Sequence, residues 1–112
     1  MPYAAPTDVL ERVKDQILAA DGRAVRRVIL FGSRARGDAR PDSDYDILVL
    51  VSGMTERERS AFQSTLYRAV EGIGAAVEPW VMSEEEFEES KAVIGGLAYP
   101  AWKEGVVLHP NA

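Results

Sequence analysis

Apolar positions recur along this chain with two different periods, and the switches between them mark out its elements. Val9, Leu10, Val13, Ile17 and Leu18 follow three- and four-residue steps, which predicts a helix opened by Thr7 or Asp8 and stopped at Asp21-Gly22. Arg26-Arg27-Val28-Ile29-Leu30-Phe31 is β-prone and predicts a first strand that delivers Gly32 at its end. Ile47 to Val51 is an unbroken apolar run, the pattern of a buried strand. Thr55-Glu56-Arg57-Glu58 reads as a capping box opening a long helix, with Phe62, Leu66, Ala69, Val70 and Ile73 facing inward and Gly72 and Gly74 bracketing its end. A third strand spans Ala76 to Met82. Pro79 within it lacks a ladder donor, which predicts an edge strand or a bulge. Ser83-Glu84-Glu85-Glu86 reads as a second capping box, for a helix reaching about Ser90. Gly95-Gly96 breaks the chain, a short helical piece spans about Tyr99 to Lys103, and Val106-Val107-Leu108 can add a brief last strand.

This order of elements predicts an α/β fold of the α+β kind, a mixed β-sheet with helices packed on it. Residues 1–112 are expected to form one domain, a length sufficient for one core and too short for two. Strands one and two are expected to run antiparallel, so that the turn after the first meets the start of the second.

That meeting joins the two parts of the chain with candidate chemistry. Gly32 ends a strand where a small residue lets backbone approach a ligand closely. Ser33 stands where a helix can start, so its hydroxyl can cap or donate to phosphate while free N–H groups and the positive helix end favour an anion. Arg34 and Arg36 add charge beside it, and Arg36 is the preferred phosphate contact of the two. Asp44 and Asp46 sit at or just before the start of the second strand, where residues i and i+2 share a face roughly 6.6 Å apart. Tyr45 must then point the other way. Two such carboxylates can bridge one or two Mg²⁺ ions, which lie about 3.5–4 Å apart in two-metal phosphoryl chemistry.

Aspartates following Pro41-Asp42-Ser43 are also what ordinary turn chemistry produces. The Gly-Ser pair upstream decides for the functional reading. The stretch is no P-loop, because Gly37 is followed by Asp38 rather than by Lys and Ser or Thr, and it is no dinucleotide fingerprint. The Arg36-Gly37-Asp38 tripeptide is read as coincidence.

Gly32-Ser33, ten residues from Arg34 to Ser43, then Asp44-x-Asp46 resembles the signature of the DNA polymerase beta nucleotidyltransferase superfamily. The short chain and the wording Gly-Ser-Arg-Ala-Arg-Gly look most like its minimal nucleotidyltransferases, small proteins often encoded beside a helical HEPN partner as antitoxin and toxin. The motif covers Gly32 to Asp46, and the rest of the chain matches in element order. The resemblance implies a DNA polymerase beta-like nucleotidyltransferase fold and a reaction in which Mg²⁺ binds the triphosphate of ATP, a hydroxyl attacks the α-phosphorus and pyrophosphate leaves. It also implies that Gly32 and Ser33 hold the outgoing phosphates, with Asp44 and Asp46 as metal ligands. A third carboxylate on a later strand would share a metal and help deprotonate the attacking hydroxyl. Glu78 is the only candidate, although the family usually carries Asp there.

Composition narrows the partners. The net charge of −5 argues against broad nucleic-acid binding, which needs many neutralised phosphates. Yet Arg23, Arg26, Arg27, Arg34, Arg36 and Arg40 concentrate six of the thirteen basic residues within eighteen positions, as a local anion site would. No cysteine is available for disulfides or thiolate metal sites. No apolar run approaches the roughly 20 residues of a membrane span, so a cytoplasmic location is the default expectation. Glu84, Glu85 and Glu86 suit a helix N-terminus and are read as structural rather than as metal ligands. His109 is read as an exposed tail residue, and Trp80 and Trp102 as core or interface aromatics.

Larger members of the superfamily carry a further helical domain over the acceptor side, whereas this chain ends at Ala112. The expectation is therefore that a HEPN-type partner or a second copy completes the site, the partner receiving AMP on a tyrosine hydroxyl. Two other readings stand beside this one. The chain could be a binding module that neutralises its partner by contact, or a nucleotidyltransferase for a small molecule such as an aminoglycoside, for which no segment is left to form a pocket.

Overall fold

Four strands and five helices follow one another in a computed structural model that describes residues 6–110. In order they are α1 (Pro6–Asp21), β1 (Val25–Phe31), α2 (Ser33–Arg36), β2 (Tyr45–Val51), α3 (Glu56–Ala69), β3 (Val77–Ser83), α4 (Glu84–Ser90), α5 (Ala98–Glu104) and β4 (Val106–His109). A single 3₁₀ turn, Glu71–Ile73, follows α3 and is closed by Gly74 in the left-handed region. Thr7 and Asp8, expected to open the first helix, fall inside its first turn.

The sheet order is β3-β2-β1-β4. β1 pairs antiparallel with both β2 and β4, while β2 pairs in parallel with β3. The result is a mixed sheet in an α+β fold, as expected. β2 lies inside the sheet and is buried on both faces, which explains its unbroken apolar run. Tyr45, Ile47, Val49 and Val51 pack with Val13, Ile17, Phe62 and Leu66 of α1 and α3. Leu48 and Leu50 turn to the other face, against Ile29, Phe31, Phe87, Ala98 and Ala101.

β3 is an edge strand, as Pro79 predicted. Its outer edge is closed by Gln63 of α3, whose Oε1 accepts from the Val81 N–H at 2.7 Å and whose Nε2 donates to the Pro79 carbonyl. Pro79 and Val81 therefore turn their backbone groups away from β2, and the missing donor of Pro79 removes no ladder bond. The same side chain denies these backbone groups to an incoming strand.

Both capping expectations have a counterpart. Thr55 and Glu58 form a full capping box, with Glu58 N–H donating to Thr55 Oγ1 at 3.1 Å and Thr55 N–H to Glu58 Oε1 at 2.8 Å. At α4 only half of one forms: Ser83 Oγ accepts from Glu86 N–H at 3.1 Å, while Ser83 is also the last residue of β3, opposite Val51. One sequence reading needs correction. His109 is not an exposed tail residue, because β4 holds it half-buried beside Val28 of β1. Of the two alternatives for Trp80 and Trp102, core is excluded: both are exposed, one on the edge strand and the other on α5, whose inward positions are the small Ala98 and Ala101.

Candidate nucleotidyl-transfer site

β1 ends in a turn that only glycine can make. Gly32 has φ 79° and ψ −158°, outside the range favoured by residues with a Cβ. A Cβ there would also lie 2.5 Å from Asp46 Oδ2, so glycine is needed both for the turn and for the close approach of a carboxylate. Gly32, not Ser33, is the N-cap of α2, and no side chain caps this helix. Its carbonyl accepts from the N–H groups of Ala35 and Arg36 at 3.0 and 3.1 Å. The N–H groups of Ser33 and Arg34 precede any intrahelical acceptor and point off the end of the turn.

The ladder brings the acidic residues to this turn. Phe31 pairs with Asp46 across β1 and β2, and Asp46 pairs with Glu78 across β2 and β3. Tyr45 points into the opposite core and is buried, so Asp46 faces the other side, as the two-residue period requires. Asp44 lies just before β2 and is exposed. The Asp46 carboxyl is held above its ordinary range, first by burial, then by the charge of Asp44 and of Glu78, while Arg36 opposes the shift. Asp44 and Glu78 are thus the like charges that Asp46 feels.

Glu78 also has a partner that the sequence did not announce. The Tyr67 hydroxyl, reaching over from α3, donates to Glu78 Oε2 at 2.7 Å. That bond, together with burial and the charge of Glu78, raises the Tyr67 phenol above its ordinary value.

The two arginines are used differently. Arg34 lies over the Tyr45 ring, 4.4 Å from its centroid, and donates to the carbonyls of Ser43 and Pro41 at 3.0 and 3.2 Å through Nη2. It thereby ties down the loop that carries Asp44. Arg36 is exposed and pairs with Asp38 at 3.2 Å and Glu104 at 3.6 Å, and those bonds raise its pKa further. Arg36 is also the cation that Asp46 senses. A cavity of about 610 Å³, lined by Arg12, Arg34, Ser43, Tyr45 and Ala75 among others, includes none of the three carboxylates.

Among the described residues, no three acidic, histidine or cysteine side chains are gathered closely enough to hold a metal by themselves. The donor set nevertheless fits Mg²⁺. It consists of hard carboxylate oxygens, and this ion is commonly held by one or two carboxylates together with substrate phosphates rather than by an all-protein cage. The absence of a Cβ at Gly32 is what lets Asp46 Oδ2 lie against the turn.

A glycine turn beside carboxylates on two neighbouring strands of a mixed sheet can bring a metal-bound phosphate to those carboxylates. Residues 9–98 match the nucleotidyltransferase domain family, and the chain belongs to that family. Solved structures with the same fold include a protein assigned as a nucleotidyltransferase from Sulfolobus solfataricus, 24% identical, at a TM-score of 0.60 over 90% of this chain and 79% of that one. Another, assigned as a minimal nucleotidyltransferase, is 24% identical, at a TM-score of 0.55 over 95% of this chain and 98% of its own. A third, a toxin–antitoxin with AMP-PNP, is 17% identical, at a TM-score of 0.54 over 87% of this chain and 70% of that one. No match is found among curated proteins. Among the described residues, no helix is long and apolar enough to cross a membrane.

Proposed function

We propose that this protein is a Mg²⁺-dependent nucleotidyltransferase that moves AMP from ATP to a hydroxyl, the acceptor being a tyrosine of a helical HEPN-type partner toxin that the modification neutralises. The observation that carries this reading is the approach of Asp46 to Gly32, with Asp44 and Glu78 near enough to shift its titration. The toxin–antitoxin neighbour with AMP-PNP supports a partner protein and an adenine nucleotide.

In this reading the backbone around Gly32 and Ser33 cradles the outgoing phosphates, helped by Arg36. Asp44 and Asp46 hold the metal. Mg²⁺, when bound, neutralises charge on the triphosphate and on the transferring group. Glu78 would share the metal and accept the proton of the attacking hydroxyl, which takes the place of the Tyr67 hydroxyl on it. Arg34 acts at one remove, by fixing the loop before Asp44.

The test is incubation with Mg²⁺, ATP labelled on the α-phosphate, and a HEPN-type partner. Label on a partner tyrosine, absent with an Asp44→Asn, Asp46→Asn double variant, is the expected result. A second reading, a contact antitoxin without catalysis, is favoured by the hydrogen bond that occupies Glu78. It predicts no label and a double variant that neutralises the partner as well as wild type does.

A further inference from the structure

The candidate general base already holds a hydroxyl, and that hydroxyl belongs to this chain. Tyr67 Oη donates to Glu78 Oε2 at 2.7 Å, which is the separation expected between a nucleophile and the base that deprotonates it. Tyr67 is 40% exposed, so a group the size of a nucleotide can reach it. Glu78 in turn stands opposite Asp46 on the neighbouring strand, and Asp46 borders the Gly32 turn. A phenol, a base and a phosphate-binding turn thus follow one another along one rung of the sheet.

We infer that Tyr67 is itself a site of nucleotidylylation, receiving the nucleoside monophosphate from ATP when no partner hydroxyl is present. The inference rests on the nucleotidyl-transfer reading above. In the step, Tyr67 Oη forms a bond to the α-phosphorus while the bond from that phosphorus to the bridging oxygen of pyrophosphate breaks. The phenolic proton passes to the Glu78 carboxylate and from there to solvent, pyrophosphate keeps the electron pair of the broken bond, and no oxidant or reductant is needed. The product is a phosphodiester between Tyr67 and adenosine. A partner tyrosine would have to displace Tyr67 from Glu78 to be modified, so self-transfer is the reaction of the unpartnered protein.

The experiment uses the whole protein with Mg²⁺ and α-labelled ATP, once alone and once with a HEPN-type partner, followed by intact mass and peptide mapping. The expected result is one AMP adduct on the protein alone, on the peptide containing Tyr67. It is lost in Tyr67→Phe, which remains folded by its thermal unfolding curve, and in the Asp44→Asn, Asp46→Asn variant. The same adduct is expected in protein purified directly from expressing cells. A labelled partner with no adduct on Tyr67 in the protein alone overturns this inference and leaves the nucleotidyl-transfer reading standing. An adduct on another residue that survives Tyr67→Phe also overturns it. No label in either arm removes both.

Discussion

Asp46 and Glu78 face each other across one rung of the same parallel ladder, yet their surroundings differ in almost every respect. Asp46 heads the central strand, crowded by the Gly32 turn, partly desolvated and pushed toward its protonated form. Glu78 heads the edge strand, half-buried, with its carboxylate engaged by a tyrosine that solvent also reaches. A strand inside a sheet is fixed from both sides and can hold a charge in one place. The edge strand is bordered on its outer side by α3 alone, which satisfies Pro79 and Val81 through Gln63 and brings the exposed Tyr67 to Glu78. Under the proposed reading, the contrast would give the nucleotide and the main hold on its metal to Asp46, and the acceptor hydroxyl to Glu78.

The largest effect is expected at the crowded end. Gly32→Ala puts a Cβ into a left-handed turn and against Asp46 Oδ2, so it should cost about 1–3 kcal/mol in denaturant unfolding and abolish transfer. A variant as stable and active as wild type would mean that the close approach is not needed. On the edge strand, Gln63→Ala removes the side chain that satisfies the outer backbone of β3. A loss of about 1–3 kcal/mol is expected, with hydrogen exchange at the Val81 amide rising before that of β2. Uniform exchange across both strands would erase the distinction between them.

Arg34→Ala should cost about 1–2 kcal/mol, from the lost Tyr45 stacking and carbonyl bonds, and should raise the KM for ATP by loosening the Asp44 loop. An unchanged KM would separate that loop from nucleotide binding. The smallest effect concerns pH. A carboxyl whose folded pKa is raised binds its proton more tightly folded than unfolded. Its contribution to stability is therefore complete below the unfolded value and is lost as pH rises through the folded one. Urea midpoints for Asp46→Asn should gain on wild type as pH climbs from the ordinary carboxylate range through the raised Asp46 value, and level off above it. A gain on going down in pH would contradict the raised value.

What the sequence revealed of this site was local. The Gly32-Ser33 turn, the Asp44-x-Asp46 spacing and the edge character of β3 each depend on a few neighbouring residues, and each could be read from the pattern. Ser33 as the cap could not hold, because Gly32 in its positive-φ conformation takes that position first. The contacts that distinguish the two ends join residues far apart in sequence: Gln63 with Pro79 and Val81, Tyr67 with Glu78, Arg36 with Glu104. Tyr67 left a faint signal, standing one helical turn after Gln63 on the long helix, but nothing in its neighbours says that β3 passes beside it. Arg34 was legible as a charge beside the Gly32 turn, and its stacking on Tyr45 appears only once the loop is closed.

The most direct test is a calorimetric titration of ATP, with and without Mg²⁺, into Asp46→Asn and Glu78→Gln side by side. The expected result is that Asp46→Asn loses the Mg²⁺-dependent part of the affinity, while Glu78→Gln keeps most of it. Equal losses in the two variants, or the larger loss in Glu78→Gln, would contradict the division of the site into a nucleotide end and an acceptor end.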